Sequence, residues 1–324
     1  MIFDLRGVCI AAGSLFFCAA IPAADEAPGE VTFVQWNLKN YLHTVAAPAN
    51  PLPGAAKPKP AGEVAGVTRI LGTLRPDVLG VCEMGGPDDL AGLQKRLKEA
   101  GVDLPHSELV QAADNERRLG LLSRYPISAR QSQAKLSYLL DESKLPVQRG
   151  ILDVTLQITE TYRLRCIGVH FKSRLEVPEG NEALMRRNEA HLLRTHVDAL
   201  LTESPETNLL VFGDLNDTRN TPAVRAIPGI RGGASYLTAL TPADARGEKW
   251  TYYYKEDDTY SRIDYLFASK GLLPELDPKT CLIYSGKDWL SASDHRAISV
   301  VIQPVDRARR PRKSAAPSEE ESGE

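Results

Sequence analysis

The sequence predicts an α/β fold in which mixed β-sheets and helices pack in layers. Apolar runs that read as strands alternate with amphipathic stretches of helical spacing. Two of the runs, 150–158 and 161–171, are joined by a turn at 157–161 and read as an antiparallel hairpin, which argues against a purely parallel sheet. The length of 324 residues alone suggests about two domains. Polar residues at the ends of the apolar runs extend from Asn37 to His295, however, and any cut between them would split the set, so one large domain is expected.

The first strand is VTFVQWN (31–37). The segment VAAPANPLPGAAKPKPAG (45–62) is rich in Pro, Ala and Gly and reads as a flexible surface insertion. Next comes a helix over 64–74, with Val67, Ile70, Leu71 and Leu74 on one face and Pro76 as its stop. PDVLGVCE (76–83) is a strand. DDLAGLQKRLKEAG (88–101) is a helix opened by Pro87-Asp88 and closed by Gly101. LGLLSRYPI (119–127) reads as one strand and precedes the hairpin. The longest helix covers 181–201 and is expected to turn Leu184, Leu192, Leu193, Val197 and Leu200 to the core. Strands at 208–214, 261–267 and 297–302 complete the domain. Residues 305–324 are basic, then acidic, without an apolar run, and cannot bury enough surface to fold, so a disordered tail is expected.

Hydrophobic residues make up 43% and charged residues 25%, ordinary values for a globular chain able to bury a core. The net charge of −3 excludes a global basic field, although a local basic groove stays open. Arg117, Arg118, Arg124, Arg149, Lys172, Arg174, Arg186, Arg187 and Arg219 lie near the polar motifs, and most are expected to be solvated surface charges. The N-terminus reads as a secretory signal peptide over 1–24: Arg6, then the apolar VCIAAGSLFFCAAI (8–21), then small residues with cleavage expected after Ala20, Ala23 or Ala24. A secreted or periplasmic location follows, with an uncleaved membrane anchor as the alternative. Cleavage leaves Cys82, Cys166 and Cys281; the first two lie inside strands and read as buried, and no disulfide framework or zinc spacing is implied.

The ends of these strands carry the chemistry. A charge in or beside a buried strand is costly unless paired, hydrogen-bonded or metal-bound, and several at the ends of separate strands point to one shared site. Asp214 and Asn216, two apart in an extended stretch, can face the same side and divide water orientation from phosphate binding. Glu83, before the Gly85-Gly86 turn, is placed to hold Mg²⁺, which keeps most of its waters and needs one or two carboxylates; Asp294 is the second candidate ligand and Asn37 completes the set. Asp264 and His295 form a carboxylate–imidazole pair able to take a proton from water. His170 faces the phosphate oxygens as a hydrogen-bond or proton donor. His43, His106, His191 and His196 are read as structural.

The segments WNLKN (36–40), RPDVLGVCE (75–83), GLLSRYPI (120–127), GVHFKSR (168–174), GDLND (213–217), RIDYLFAS (262–269) and SDH (293–295), in this order, resemble the endonuclease/exonuclease/phosphatase superfamily. Deoxyribonuclease I, abasic-site endonucleases, neutral sphingomyelinases and inositol-polyphosphate 5-phosphatases belong to it. The resemblance implies a four-layer α/β/β/α sandwich of two mixed sheets over residues 28–304, and dependence on Mg²⁺ or Mn²⁺. It implies Glu83 as main metal ligand with Asn37 and Asp294 nearby, Asp214 and Asn216 as the water- and phosphate-positioning pair, and Asp264–His295 as the acid–base pair. His170 matches a histidine of the deoxyribonuclease-I-like, sphingomyelinase and phosphatase branches. Arg118 falls near a phosphate-contacting arginine of deoxyribonuclease I, with Arg117 beside it. The HFKS wording resembles secreted bacterial nucleases.

The insertion after Leu42 matches no family element. Neither the long membrane-facing apolar hairpin of a secreted sphingomyelinase nor the lysine-bearing loop of the inositol phosphatases is present in the sequence. The expectation is therefore a monomeric, secreted or periplasmic metal-dependent phosphodiesterase with nucleic acid as substrate and no stable protein partner. A phosphatase or phospholipid phosphodiesterase of the same superfamily is the alternative. A non-catalytic binding protein is disfavoured, because Glu83, His170, Asp214, Asn216, Asp264 and His295 are all intact. In WTYYY (250–254), Trp250, Tyr252 and Tyr254 alternate on one strand face and suit base stacking, against the alternative of sheet packing.

Overall fold

The computed structural model describes residues 29–45 and 57–306. The signal peptide expected over 1–24, most of the insertion expected over 45–62 and the tail from residue 307 lie outside these residues. In chain order the elements are β1 (Val31–Tyr41), α1 (Ala61–Leu74), β2 (Val78–Met84), α2 (Pro87–Glu99), β3 (His106–Leu109), β4 (Arg118–Ser123), β5 (Ile127–Arg130), β6 (Ser137–Leu140), β7 (Ser143–Pro146), β8 (Leu152–Gln157) and β9 (Arg163–His170). There follow α3 (Glu182–Glu203), β10 (Leu209–Asp214), α4 (Pro222–Ala226), β11 (Thr238–Ala239), β12 (Tyr252–Tyr254), β13 (Thr259–Ser261), β14 (Asp264–Ala268), β15 (Leu282–Ile283) and β16 (Ile298–Ile302).

Two six-stranded sheets form, in the orders β15-β16-β1-β2-β4-β3 and β11-β14-β10-β9-β8-β5. Both are mixed. In the first, β1 runs parallel to β2 and antiparallel to β16; in the second, β10 runs parallel to β9 and antiparallel to β14. The expected hairpin is β8–β9, in register from Leu152↔Gly168 to Gln157↔Arg163. Phe33, Leu121, Cys166 and Phe212 belong to the apolar layer between the sheets. The apolar stripes of α1 and α2 cover the outer face of the first sheet, and those of α3 and α4 cover the second. The result is the four-layer α/β/β/α sandwich, stacked because each sheet is apolar on both faces. Phe212 wedges the sheets together: a Cβ on Gly80 of the opposite sheet would stand 2.2 Å from its ring, and one on the adjacent Gly168 2.6 Å.

Three local readings change. The run 119–127 is not one strand. It breaks after Ser123, and Arg124-Tyr125-Pro126 carries the chain from the first sheet to the second. Pro126 has no N–H to donate to a ladder, which favours the break there. On α3, whose first turn Asn181 caps at the Ala183 and Leu184 amides, Leu184 is 44% exposed and the neighbouring Met185 is buried instead. Arg186 is buried rather than solvated, and pairs with Asp217 at 3.1 Å. Cys82 and Cys166 are buried as their strands predict. Among the described residues, no helix is long and apolar enough to cross a membrane.

Candidate active site

The parallel strands β1, β2, β9 and β10 end on the same side of the sandwich, and their carboxyl ends deliver Asn37, Glu83, His170 and Asp214. Crevices at such strand ends are where open α/β sheets place ligands. Asp264 opens β14 and pairs in register with Asp214, so two carboxylates stand side by side on adjacent strands. The loop before β16 brings Asp294 and His295 into the same cluster, with His295 Nε2 3.8 Å from Asp214 Oδ2.

Backbone shape sets these side chains. Glu83 has φ 60°, at a shift in register between β2 and β4, which turns it out of the strand; Asn216 has φ 49°. Such left-handed conformations at non-glycine residues cost of order 1–3 kcal/mol and persist where the surrounding structure holds them. Gly213, at φ 146°, is needed for a different reason: a Cβ there would lie 1.8 Å from the Val169 carbonyl oxygen.

Asp264 Oδ2 lies 2.9 Å from His295 Nδ1, and its Oδ1 accepts from Gln35 Nε2 at 3.1 Å. Asn37 Nδ2 donates to Asp214 Oδ2 at 2.9 Å and to Glu83 Oε1 at 3.2 Å, so one amide ties two carboxylates together. Its Oδ1 accepts from the Lys39 amide. Glu83 Oε2 accepts from the Asn40 amide at 2.8 Å. His170 Nε2 is 3.7 Å from Asp214 Oδ2 and 3.9 Å from Glu83 Oε1, while His295 Nε2 is 3.8 Å from Asp214 Oδ2 and 4.0 Å from Asp294 Oδ1. Both imidazoles thus point at one carboxylate. Asn216 donates through its backbone to Asp214 Oδ1 and through Nδ2 to the Phe171 carbonyl.

The electrostatics follow from burial and crowding. Burial opposes charge on His295, but Asp264, by charge and hydrogen bond, together with Asp214 and Asp294, outweighs it and lifts the imidazole to about 10. Burial and the Asp264 charge push the Asp214 carboxyl up to about 7, against His295, the Asn216 amide and Asn37. His170 is held well below the usual histidine range by burial and by the Arg149, His295 and Arg117 charges, so it is neutral. Among the described residues its Nδ1 has no hydrogen-bond partner.

All the sequence-predicted residues except Arg118 converge here. Arg118 donates to the Glu116 carbonyl and lines a separate cleft with Leu42, Gly85, Gly86 and Asp88. Its neighbour Arg117 lies nearer the centre, donating to Asn40 Oδ1 at 2.7 Å, next to the amide that holds Glu83. Three supporting groups escaped the sequence reading. Gln35 is visible in retrospect, two residues before Asn37 on the same strand face. Ser293 donates to the Asn37 carbonyl and accepts from the His295 amide, which fixes the SDH turn. Thr251 Oγ1 accepts from the Asp264 amide. His196, read as structural, lies 2.6 Å from buried Asp153 on the far side of the second sheet, a contact between helix and strand that spacing does not show. In the WTYYY strand, Tyr252 and Tyr254 do lie together, with ring centroids 6.4 Å apart, and Tyr252 lies 4.7 Å from the His295 ring. Trp250 instead packs on Tyr260 and Trp289, under the Arg296 guanidinium.

The sequence profile of the Endonuclease/Exonuclease/phosphatase family matches residues 34–295. No curated protein sequence matches the chain. Solved structures share the fold at low identity. The human Nocturnin catalytic domain with bound sulfate is 15% identical, with a TM-score of 0.57 over 84% of this chain and 93% of that one. Sphingomyelinase C from Streptomyces griseocarneus is 15% identical, with a TM-score of 0.56 over 85% and 99%. D. rerio TDP2 complexed with a single-strand DNA product is 15% identical, with a TM-score of 0.55 over 84% and 98%.

Proposed function

Since the chain belongs to the endonuclease/exonuclease/phosphatase family of phosphoester hydrolases, in which divalent-metal dependence is typical, we propose that it is a Mg²⁺- or Mn²⁺-dependent phosphodiesterase acting on nucleic acid. The observation that carries this reading is the convergence of the His170 and His295 Nε2 atoms on Asp214 beside Glu83 and Asp294. Residues 1–24 support a secreted or periplasmic site of action.

A divalent cation fits the residues present. The crevice gathers Glu83, Asp214, Asp264 and Asp294 around one cationic imidazole, an excess of negative charge that a cation balances. Asp214, Asp264 and His295 offer ligand atoms within 4.8 Å of one another. Asp264 and His295 already satisfy each other, however, whereas the Glu83 and Asp294 side chains are 19% and 29% exposed and leave room for the waters Mg²⁺ retains. Glu83 and Asp294 are therefore the proposed ligands, with Asn37 holding Glu83 in place. The bound ion would supply charge for the phosphate oxygens and oppose the lift that the carboxylates give His295.

In the neutral form that a bound ion would favour, His295 donates its Nδ1–H to Asp264, which leaves Nε2 to take a proton from the attacking water that Asp214 orients. Neutral His170 offers its Nε2–H to a phosphate oxygen where negative charge develops, and the Asn216 side chain borders the same oxygens. Nucleic acid is supported by arginines around the crevice and by the aromatic strand beside His295.

The test is hydrolysis of DNA, RNA, bis-nitrophenyl phosphate, sphingomyelin and a phosphoinositide with Mg²⁺ or Mn²⁺ and with EDTA. Glu83→Ala is expected to lose most activity, with partial rescue at high metal, and His295→Ala to lose about 10²–10⁴ in rate. Unchanged activity in EDTA refutes the metal assignment. Binding to nucleic acid should weaken steeply as salt rises, whereas hydrolysis of a small ester should respond less.

A further inference from the structure

The two sides of the strand-end cluster carry different chemistry, and strand order fixes which is which. Across the first sheet the order β16-β1-β2-β4 places His295, Asn37, Glu83 and then Arg117 and Arg118 in sequence; across the second, β14-β10-β9-β8 places Asp264, Asp214, His170 and then Arg149, just before β8. Strands lie about 4.8 Å apart, so the basic end is separated from the His295 end by about three strand spacings.

At the basic end, Arg117 and Arg149 act on His170, and Arg174 reaches from the loop after β9 to the Asn216 carbonyl at 3.1 Å. Asp114, Glu116 and Asp217 take up part of this charge, but the Arg174 side chain stays 53% exposed. Among the described residues, the buried Nε of Arg149 has no partner.

At the other end stands the β12–β13 hairpin. Its first strand is tied to the catalytic loop by the Tyr253 amide on the Asp294 carbonyl, at 3.0 Å, and by the Arg296 amide on the Thr251 carbonyl. The buried Arg296 side chain pins it further, on the Trp250 carbonyl and Asp244. Tyr252 therefore lies against His295 by construction, and Tyr254 continues the aromatic face outward to solvent. Beyond it the exposed turn reads Lys255-Glu256-Asp257-Asp258. Three acids against one lysine, with Asp258 also accepting from the Tyr253 hydroxyl at 3.0 Å, leave a net negative turn that repels a continuing phosphate backbone, while the tyrosine faces suit a flat, uncharged ring.

We propose that the crevice takes the end of a polynucleotide, with the terminal nucleoside on Tyr252 and Tyr254 and the remaining phosphates over Arg117, Arg149 and Arg174. The inference rests on the phosphodiesterase reading above and makes the enzyme an exonuclease that removes one terminal nucleotide. A strand passing through the site in both directions meets the acidic turn. A free end does not.

A single-stranded oligothymidylate and its covalently closed circle of the same sequence separate the possibilities. The linear form is expected to be cut faster, releasing mononucleotide. Tyr254→Ala is expected to raise KM on the linear form by about tenfold, the scale of one lost base–aromatic stack. A chain carrying Glu256→Lys, Asp257→Lys and Asp258→Lys is expected to gain cleavage of the circle. Anisotropy titration of the labelled linear oligonucleotide in EDTA should show the same Tyr254→Ala weakening without turnover. Equal cleavage of circle and linear form, unaltered KM and affinity in Tyr254→Ala, or a preference for a phosphocholine ester each overturn the proposal. Absence of cleavage of every phosphodiester instead sinks the underlying enzymatic reading, and the terminal-nucleotide proposal with it.

Discussion

Asp214 and Asp264 face each other across two paired strands, an arrangement of like charges that a fold tolerates only for a reason. One acid is hydrogen-bonded to His295 and Gln35; the other accepts hydrogen bonds from neutral amides, with the His170 and His295 Nε2 atoms farther off at 3.7 and 3.8 Å, and so retains affinity for a proton or a cation. Their roles can be separated by Asp264→Asn. Loss of that charge removes the main upward pull on His295, which now stands at about 10, so the pH–rate limb that reports this imidazole should move to lower pH. The rate should fall by about 10²–10⁴, and a profile that keeps its shape would show that His295 is not the titrating group. These residues were legible because each follows or precedes an apolar run, a position where charge needs an explanation. Gln35, Ser293 and Thr251 were not, because their contribution is a single hydrogen bond to a partner far away in sequence. Arg118 illustrates the converse: position next to a motif does not say which of two adjacent arginines turns inward, and Arg117 is the one bound to Asn40 beside Glu83.

The strands themselves position the site through close contact between the sheets. Gly80 of β2 and Gly168 of β9 leave the space that the Phe212 ring of β10 fills, and Phe33 meets the same ring at a centroid distance of 5.1 Å. Gly80→Ala would place a methyl group against an immobile ring and should cost about 1–3 kcal/mol in chemical denaturation. Because β2 ends in Glu83 and β10 in Asp214, the same change should raise the metal concentration required for activity. An unaltered denaturation midpoint would show that the sheets slide apart more easily than this packing implies. Periodicity alone located β1, β2, β8, β9, β10 and the three long helices. It failed at 119–127, where the apolar run continues while the backbone changes sheets, and on the first turn of α3, where Met185 is buried rather than Leu184. The WTYYY strand was recognised, but which of its rings share a face depended on the twist of a short hairpin and on Trp289 from another loop.

At the scale of the whole molecule, pH acts on stability through buried acids away from the catalytic centre. Glu189 on α3 accepts from the Lys172 amide and is buried; burial, only partly offset by that amide and by Arg149, Arg186 and Lys172, raises its carboxyl to about 7. The folded protein therefore binds this proton more tightly than the unfolded chain, so the contribution is fully present below the ordinary value of 4.5 and is lost as pH rises towards 7. Glu189→Gln should flatten that part of the curve and gain on the order of 1–3 kcal/mol above pH ~7, read as the difference between the two proteins' urea unfolding curves. Identical pH dependence would place the carboxylate in contact with water. The layered class was visible in the order of strand and helix patterns, whereas sheet assignment was not, since it depends on pairings between remote segments. The most remote of these joins Val31 to Ile302, the first strand of the domain to its last. His295 arrives only with that final strand. A chain emerging from the ribosome thus carries Glu83, His170 and Asp214 well before His295, and on the proposed mechanism a copy truncated ahead of His295 is expected to be inert.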